Sequence, residues 1–232
     1  MPKEIWLGPV LENNRELLLA RCAEYVSRGE SHRLVYLAAS HPLLDLATEK
    51  VLDGEKARGV WGEFPFYLFR GFIRRILTSA VTSGAPRVPI DREELPLRRS
   101  LISQIIKQLA EAGKLKAIRG LANRDGCVNT IASLIGELQR AGKTADEFLA
   151  AVESRGAETE GSSLRTQGLN LQIDFDREVA LVYAKYSEAL DRFGLTDEDA
   201  DQLRALQTLR GDVLPGLDEV DLLVLDGFFD FT

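Results

Sequence analysis

The chain has 232 residues, 45% of them hydrophobic and 28% charged, and a formal net charge of −7. This composition is typical of a folded globular protein, and no stretch approaches the ~18 consecutive apolar residues of a membrane span. The opening MPKEIWLGPV lacks the basic flank and apolar core of a signal peptide. Two distant cysteines, Cys22 and Cys127, and only two histidines form no metal-site pattern. We expect a cytoplasmic protein with free thiols, no metal site and no membrane partner.

Charge is distributed unevenly along the chain. From Arg70 to Arg124 there are twelve Lys or Arg residues against four Asp or Glu residues, a local charge of +8. The rest of the chain therefore carries −15. This asymmetry is typical of a contact with nucleic acid. A basic helix can equally be a solvated face that pairs with acidic neighbours, and charge alone does not separate the two.

The first third of the chain predicts two strand–helix units. The predicted elements are a strand at Glu4–Leu7 ending at Gly8, a helix from Asn13 or Asn14 to about Arg28, a strand at Arg33–Ala39, and a helix from Pro42 to about Leu52. The order β-α-β-α predicts a parallel sheet with right-handed crossovers.

The middle of the chain is predicted to be mostly helical. Phe64–Leu68 is either a short third strand or the start of a helix. Thr144 and Glu147 form the pattern of a capping box, whereas Thr82–Pro96 is predicted to be a connection and the polar Arg155–Leu171 a mobile loop. The predicted helices are Leu68–Ser79, Leu97–Ala112, Cys127–Ala141, Thr144 to about Ser154, Asp176–Phe193, and a helix capped by Thr196 that reaches about Arg210.

The chain closes with four consecutive apolar residues, Leu222–Leu225, that run into Asp226. An unbroken apolar run predicts a strand buried on both faces of a parallel sheet. Open α/β sheets bind ligands at the carboxyl ends of such strands. We therefore expect an α/β domain, residues 1–80 and 211–232, interrupted by an all-helical insertion, residues 81–210. Because the chain stops soon after this strand, we also expect it to be the front piece of a longer protein.

The turn after the first strand is where a phosphate-binding loop, G-x-x-x-x-G-K-[ST], would lie. Gly8 fits the first position, but Asn13, Asn14 and Arg15 stand where the pattern requires Gly, Lys and Ser or Thr. The Lys that neutralises the phosphates and the hydroxyl that binds Mg²⁺ are therefore missing. Losing several charge-assisted hydrogen bonds of about 1.5–3 kcal/mol each should abolish useful ATP binding.

The carboxylate at the end of the last strand, Asp226, also predicts that ATP is not bound and hydrolysed. In ATPases with this layout the Asp that binds Mg²⁺ is usually followed by a Glu that positions the attacking water, whereas Asp226 is followed by Gly227. We therefore expect no catalytic residue and no ATP or Mg²⁺ cofactor. A simpler interpretation stays open, in which Gly8 is an ordinary turn glycine, Asp226 caps a strand, and no ATPase site ever existed.

The order of these segments resembles a known family. The segments are IWLGPVLENNRELLLARC, RLVYLAASHPLLDLATEKVL, a helical insertion, REVALVYAKYSEAL and LPGLDEVDLLVLDGFFDFT. Together they resemble the amino-terminal helicase-like domain of the AddB-type subunit of bacterial ATP-dependent helicase–nucleases, which is related to superfamily 1 DNA helicases. The most specific part is Leu225–Thr232, because Asp-Gly-Phe followed by Phe-Thr after a buried strand is that family's form of the second nucleotide motif. The helical middle matches by layout alone.

The resemblance implies a parallel sheet of the P-loop NTPase and superfamily 1 helicase type, covered by helices, with a large all-helical insertion. It implies a role in DNA double-strand break processing and recombinational repair. The family's phosphate-loop Lys would fall on Asn14 and is absent, as in subunits of this group that serve as scaffolds with a silent motor. The family's later motor-like and iron–sulfur nuclease domains map onto no residue of this chain. The implied partners are single-stranded or forked DNA, the remainder of the chain and a motor helicase–nuclease subunit.

With this resemblance, nine basic residues become candidate contacts to DNA phosphates. They are Arg70, Arg74, Arg75, Arg98, Arg99, Lys107, Lys114, Lys116 and Arg119. Four aromatic residues are weaker candidates for stacking on bases, because such residues more often belong to a core. They are Trp61, Phe64, Phe66 and Tyr67.

Two other functions stay open beside a non-catalytic DNA-binding scaffold. A divergent NTPase would use Arg15 and Asp226 in an unusual geometry and would bind nucleotide in a Mg²⁺-dependent way. A protein-interaction scaffold would dock the rest of the chain or a motor partner without any direct affinity for DNA.

Overall fold

The computed structural model describes residues 14–52, 64–80, 87–89, 97–122, 124–160, 167–211 and 216–228. Within these ranges the chain is mixed α/β, with long helices and short parallel strands. The helices are α1 Asn14–Ser27, α2 His41–Leu52, α3 Phe69–Ala80, α4 Leu97–Glu111, α5 Asp125–Arg140, α6 Ala145–Glu160, α7 Gln167–Phe193 and α8 Glu198–Leu209. The strands are β1 Leu34–Ala38, β2 Phe66–Leu68, β3 Val88–Pro89, β4 Leu195–Thr196 and β5 Leu222–Asp226. The predicted strand Glu4–Leu7 lies outside the described residues.

The chain divides into two compact units. Met1–Val81 and Gly211–Thr232 form the first, and Thr82–Arg210 forms the second. The first, the α/β unit, contains β1, β2 and β5 with α1 to α3. The second, the helical unit, contains α4 to α8 and the short pair β3 and β4. The α/β unit is therefore assembled from both ends of the chain.

The sheet of the α/β unit is parallel, with its described strands in the order β2-β1-β5. Tyr36 of β1 pairs with Phe66 of β2 and with Val224 of β5, and Ala38 pairs with Asp226. This confirms the predicted parallel sheet. It also decides between the two alternatives for residues 64–68, which end in a third strand.

Both faces of the central strand β1 are buried. Strand alternation puts Leu34, Tyr36 and Ala38 on one side, where they join an apolar cluster with α1 and α2. Val35 and Leu37 point to the other side and are buried as well. The third helix, α3, contacts both β1 and β2. The apolar run of β1 therefore has the environment that its sequence predicts.

The closing strand β5 differs from its prediction. Val224 is buried, but Leu223 and Leu225 are 53% and 47% exposed, so the prediction of burial on both faces is wrong. Helix α3 packs against β1 and β2, whereas β5 lies beyond β1 at the edge of the described sheet, so its second face receives less helix cover. One face of β5 joins the cluster around Tyr36, and the other presents leucines at the surface.

The helical unit has its own apolar core, contributed mainly by α4, α5 and α7. The apolar residues of these helices recur at helical spacing, and the buried ones form the core. The core includes Ile102, Ile106, Ile131, Ile135, Val179, Val182 and Tyr186. The predicted capping box is confirmed too, since the Glu147 N–H donates to Thr144 Oγ1 at 3.1 Å and the Thr144 N–H donates to Glu147 Oε2 at 2.9 Å.

The prediction of a loop at Arg155–Leu171 is wrong at both ends, because helices occupy them. Helix α6 continues past its predicted end near Ser154 to Glu160, and α7 begins at Gln167. Salt bridges between α6 and α7 supply the reason: Arg155 pairs with Asp176, and Arg177 binds Glu153 with both contacts at 2.7 Å. Helix–helix packing thus overrides the polar composition of this segment.

Two further predictions in the helical unit need correction. The connection at Thr82–Pro96 contains strand β3, whose Val88 N–H donates to the Gly194 carbonyl at 2.8 Å beside β4. The cap of α8 is Asp197 and not Thr196, because Asp197 Oδ1 accepts from the Ala200 N–H at 2.8 Å. None of the described helices is long and apolar enough to cross a lipid bilayer.

Candidate functional sites

The carboxyl end of the sheet brings together two residues of the predicted degenerate nucleotide site. Arg15 lies in the first turn of α1 and Asp226 is the last residue of β5. Arg15 Nη2 is 2.6 Å from Asp226 Oδ2, with the two side chains 35% and 18% exposed. Asn14 is the first residue of α1, whereas Gly8 and Asn13 lie outside the described residues.

A third member of this site, Tyr36, was not predicted. Its hydroxyl donates to the same Asp226 Oδ2 at 2.5 Å. Burial, and after it the hydrogen bond to Asp226, raises the pKa of Tyr36 above its ordinary value. The sequence does carry a signal, because the hydroxyl of a Tyr inside the apolar run LVYLA must find a buried partner.

The residue after Asp226, Gly227, lies in a conformation and a packing environment that disfavour a side chain. Gly227 has φ +79°, the left-handed region that favours glycine. A Cβ there would lie 2.4 Å from Leu43 Cδ1 and 3.4 Å from Ala39 Cβ. This is the position where ATPases of this layout carry the water-positioning Glu. Packing of the strand-end turn against Leu43 therefore disfavours that Glu.

The contacts of Asp226 disfavour Mg²⁺ at this carboxylate. Mg²⁺ binds through carboxylate oxygens and waters, but Asp226 Oδ2 already accepts from the Arg15 guanidinium and the Tyr36 hydroxyl. A guanidinium at contact distance would also repel a divalent cation. No chemical step through Mg²⁺ or ATP follows from this geometry. No cluster of three or more His, Cys, Asp or Glu residues that could hold a metal ion occurs in the described ranges.

The candidate DNA contacts on α3 fall into two kinds. Arg70 and Arg74 are exposed. Arg75 is half-buried and has a structural role: its guanidinium lies over the Tyr67 ring, 5.3 Å from the centroid, and donates to the Gly216 carbonyl at 3.2 Å. Arg75 thus ties α3 to the turn that leads into β5.

Arg98 is part of a buried polar cluster in the helical unit. Its guanidinium binds Asp199 at 2.6 Å and Gln139 at 3.1 Å, and lies 3.7 Å from Asp197. Asp199 is only 3% exposed, and its other oxygen accepts from Arg140 at 3.1 Å. Burial lowers the pKa of Arg98, but the neighbouring carboxylates more than offset this and raise it. The charge of Arg98 is used to join α4, α5 and α8.

The remaining candidates are exposed. Arg99 pairs with the exposed Asp125 at 3.2 Å. Lys107 lies on the outer side of α4, and Lys114, Lys116 and Arg119 follow this helix. With the residues that the structure describes, these last four form no ion pair. Their charge is thus available to a ligand.

Lys114–Arg119, which we call the basic loop, has a fixed backbone. Gly113, at φ +70°, ends α4 in a Schellman turn, with Lys114 N–H donating to the Leu109 carbonyl at 2.9 Å. Leu115 and Ile118 are fully buried and anchor the loop to the core. Buried apolar residues thus alternate with exposed basic ones, and the side chains of Lys114, Lys116 and Arg119 lie at the surface of an anchored backbone.

A second unpredicted residue, Glu178 of α7, lies beneath this loop. Its Oε1 accepts from the backbone N–H groups of Lys116 and Ala117, the latter at 2.8 Å, and its Oε2 accepts from Ile118 N–H at 2.8 Å. Glu178 is 8% exposed. The signal for it is a Glu within the apolar stripe of α7, next to Val179.

The aromatic candidates for base stacking are packed against one another. Phe66 stacks on Tyr36 with ring centroids 4.5 Å apart, and Phe64 lies 4.5 Å from Phe66. Tyr67 has Arg75 over its face. Trp61 lies outside the described residues. Each described ring of this group therefore has one face packed against another side chain.

The helical unit also contains a cleft of about 420 Å³. Its charged lining is mixed in sign: Arg87 binds Asp191 at 2.5 Å and Arg204 donates to Thr196 Oγ1 at 2.7 Å, while Asp146 and Glu188 also line it. This mixture of charges does not single out one class of ligand.

Comparisons with known proteins add no assignment. A scan against protein-family models finds no match to this chain, and a search of curated proteins finds none either. The ion pair at the strand ends and the basic loop therefore carry the functional interpretation.

Proposed function

We propose that this chain is a non-catalytic, helicase-like domain that contacts DNA, within a cytoplasmic helicase–nuclease subunit of double-strand break repair. Its sheet would be of the P-loop NTPase and superfamily 1 helicase type, with a nucleotide site that no longer works. The observation that carries the proposal is the contact of Arg15 with Asp226. It joins, in one ion pair, the two positions that in a working site would both serve Mg²⁺.

The surroundings of this pair support a silent nucleotide site. Tyr36 and Arg15 both bind Asp226 Oδ2, one of the two carboxylate oxygens that a metal ion could use. The positive φ of Gly227 and its close approach to Leu43 disfavour the catalytic Glu at this position. The parallel sheet with an inserted helical unit is the layout that the helicase resemblance implies, and it supports the proposal at the level of architecture.

The basic loop supports the DNA contact. Three cations without acidic partners in the described residues project from a backbone held by buried side chains and by Glu178. Residues 97–124 contain no Phe, Tyr or Trp, so this segment itself supplies no aromatic ring for base stacking. It is suited to phosphate contacts, which carry affinity without sequence preference. We propose that Lys107, Lys114, Lys116 and Arg119 form the main contact, with Arg70, Arg74 and Arg99 as further exposed candidates.

The experiment is fluorescence anisotropy of a labelled single strand, and of a labelled fork, across rising salt. Binding should weaken steeply, with a slope in log K against log salt of roughly −0.7 for each phosphate contacted on a single strand. The triple variant Lys114→Gln, Lys116→Gln, Arg119→Gln should lose most affinity. Its matched control, Lys50→Gln, Lys143→Gln, Arg192→Gln, removes the same charge from exposed residues elsewhere and should bind like the wild type. Absence of binding at low salt, or equal losses in both triples, would overturn the proposal.

A protein-interaction scaffold is the second candidate function, and one observation favours it. Leu223 and Leu225 are exposed on β5, at the edge of the described sheet. Exposed leucines that share one face of a strand mark a surface suited to a protein partner. If the chain binds a partner subunit through this surface and shows no DNA affinity, this second function replaces the first.

A divergent NTPase is tested by calorimetry. Titration of millimolar ATP with Mg²⁺ should give no saturable heat, because Asp226 is already engaged by Arg15. Saturable, Mg²⁺-dependent heat that disappears in Asp226→Asn would establish a working site in place of a silent one.

A further inference from the structure

We infer that Glu178 is a positioning residue for nucleic-acid binding, although it is acidic and does not face the ligand. This inference rests on the proposed DNA contact of the basic loop. Glu178 would act through the backbone, by fixing the segment from which Lys116 and Arg119 project.

The geometry that carries the inference is a carboxylate bound by three consecutive N–H groups. Lys116, Ala117 and Ile118 all donate to the two oxygens of Glu178. Consecutive backbone amides that converge on one point form an anion-binding concavity. Here the occupant is a side chain of α7 that is 8% exposed. The loop is thereby attached to the longest described helix of the unit.

The direction of the side chains follows from this attachment. Lys116 and Ile118 lie on either side of Ala117 in the chain, and Ile118 is fully buried whereas Lys116 is exposed. Because Glu178 holds all three amides, it restricts the backbone dihedrals of this stretch. The Cα positions from which the exposed cationic side chains extend are restricted with them. Phosphate binding then costs less ordering of the loop than it would from a free segment.

A pure charge effect and a positioning role predict opposite changes in DNA affinity for Glu178→Gln. Glu178→Gln removes one negative charge close to the basic loop, and by Coulomb attraction alone DNA should bind more tightly. The amide group of Gln, however, puts an N–H₂ against the Ile118 or the Lys116 and Ala117 N–H groups, so donors face donors. If Glu178 positions the loop, DNA should bind more weakly despite the more favourable net charge.

The test measures DNA anisotropy for wild type, Glu178→Gln and Glu178→Asp. We expect affinity to fall roughly 3- to 10-fold in Glu178→Gln and the salt slope on a single strand to become shallower by about 0.7, as if one phosphate contact were lost. Glu178→Asp keeps the charge but is one methylene shorter, and should weaken binding as well. A core variant of the same unit, Ile135→Val, serves as the control for general destabilisation and should bind DNA like the wild type.

Amide hydrogen exchange gives a readout that does not depend on DNA. The amides of Lys116, Ala117 and Ile118 should be protected in the wild type and exchange faster in Glu178→Asp. Equal or tighter DNA binding by Glu178→Gln, or an equal loss in Ile135→Val, would overturn the inference while leaving the DNA function intact. A wild type that binds no DNA would overturn both. Fast exchange of the three amides in the wild type would overturn the positioning role alone, even if the Gln variant does not fold.

Discussion

Arg15 Nη2 lies 2.6 Å from Asp226 Oδ2, across 211 positions of the chain. Arg15 follows Asn14 at the start of α1, and Asp226 ends β5. The ion pair therefore lies at the carboxyl end of the sheet and connects α1 to β5. The geometry is that of a structural ion pair.

Removing this pair should cost stability and gain nothing in nucleotide binding. Arg15→Ala leaves the mostly buried Asp226 carboxylate with the Tyr36 hydroxyl as its remaining side-chain donor among the described residues. We expect a loss of about 1–2 kcal/mol, since Arg15 is partly exposed and its charge is screened. The measurement is urea unfolding. Arg28→Ala is the matched control near the end of the same helix, because its pair with Glu24 at 3.7 Å is well exposed and should cost no more than about 0.5 kcal/mol. Equal effects of the two substitutions would contradict the structural role of Arg15.

Arg98 should matter for folding and not for DNA. Arg98→Met removes one of the cations that bind Asp199, which is 3% exposed and also binds Arg140. Breaking a buried ion pair from one side typically costs about 3–5 kcal/mol. Thermal unfolding should show this loss, whereas Arg99→Gln next to it should stay within about 0.5 kcal/mol.

The same two variants also test whether Arg98 stabilises the fold or contacts DNA. DNA affinity per folded molecule should not change in Arg98→Met, provided the protein is measured below its unfolding transition. A clear loss of affinity there, without loss of stability, would return Arg98 to the DNA-binding surface.

Stability should decline at alkaline pH because buried tyrosines resist ionisation. Burial raises the pKa of Tyr36, Tyr183 and Tyr186 in the folded chain. In the unfolded chain a tyrosine ionises near pH 10. The contribution is therefore fully present below about pH 10 and is lost as pH rises further, by up to about 1.4 kcal/mol per pH unit for each tyrosine.

Urea unfolding between neutral pH and about pH 11 measures this slope. Tyr183→Phe should be less stable at neutral pH, because the hydroxyl no longer donates to the Lys143 carbonyl at 2.9 Å, yet its stability should fall less steeply above about pH 10. A variant with the same alkaline slope as the wild type would show that Tyr183 ionises freely in the folded state.

Substitutions at two glycines distinguish the cost of a left-handed backbone from the cost of a steric clash. Gly113 and Gly227 both have φ in the left-handed region, but a Cβ meets nothing within 4 Å at Gly113 and lies 2.4 Å from Leu43 at Gly227. Gly113→Ala should cost about 1–2 kcal/mol, the backbone term alone. Gly227→Ala should cost more, because Leu43 must also move. Unfolding midpoints decide this, and a smaller loss at Gly227 would contradict the close packing of the strand-end turn.

Much of the local structure could be predicted from the residues themselves. Apolar runs and helical stripes identified β1, β5 and most helices, because burial of one face demands a periodic pattern. The Thr144 and Glu147 capping box was also readable, since both partners lie within one turn. The chemistry missing after Gly8 could be listed position by position from the sequence, because a phosphate loop is a contiguous motif.

Contacts between distant segments could be decided only by the tertiary structure. The sequence pointed to Arg15 and Asp226 but did not pair them, and it ranked Arg98 with exposed cations although Asp199, 101 positions away, holds it in a buried cluster. Glu178 and Tyr36 were missed because each finds its partners in another element. Side-chain charge can be read from one residue at a time. Whether that charge meets a carboxylate, a backbone amide or solvent depends on burial and on which segments fold together.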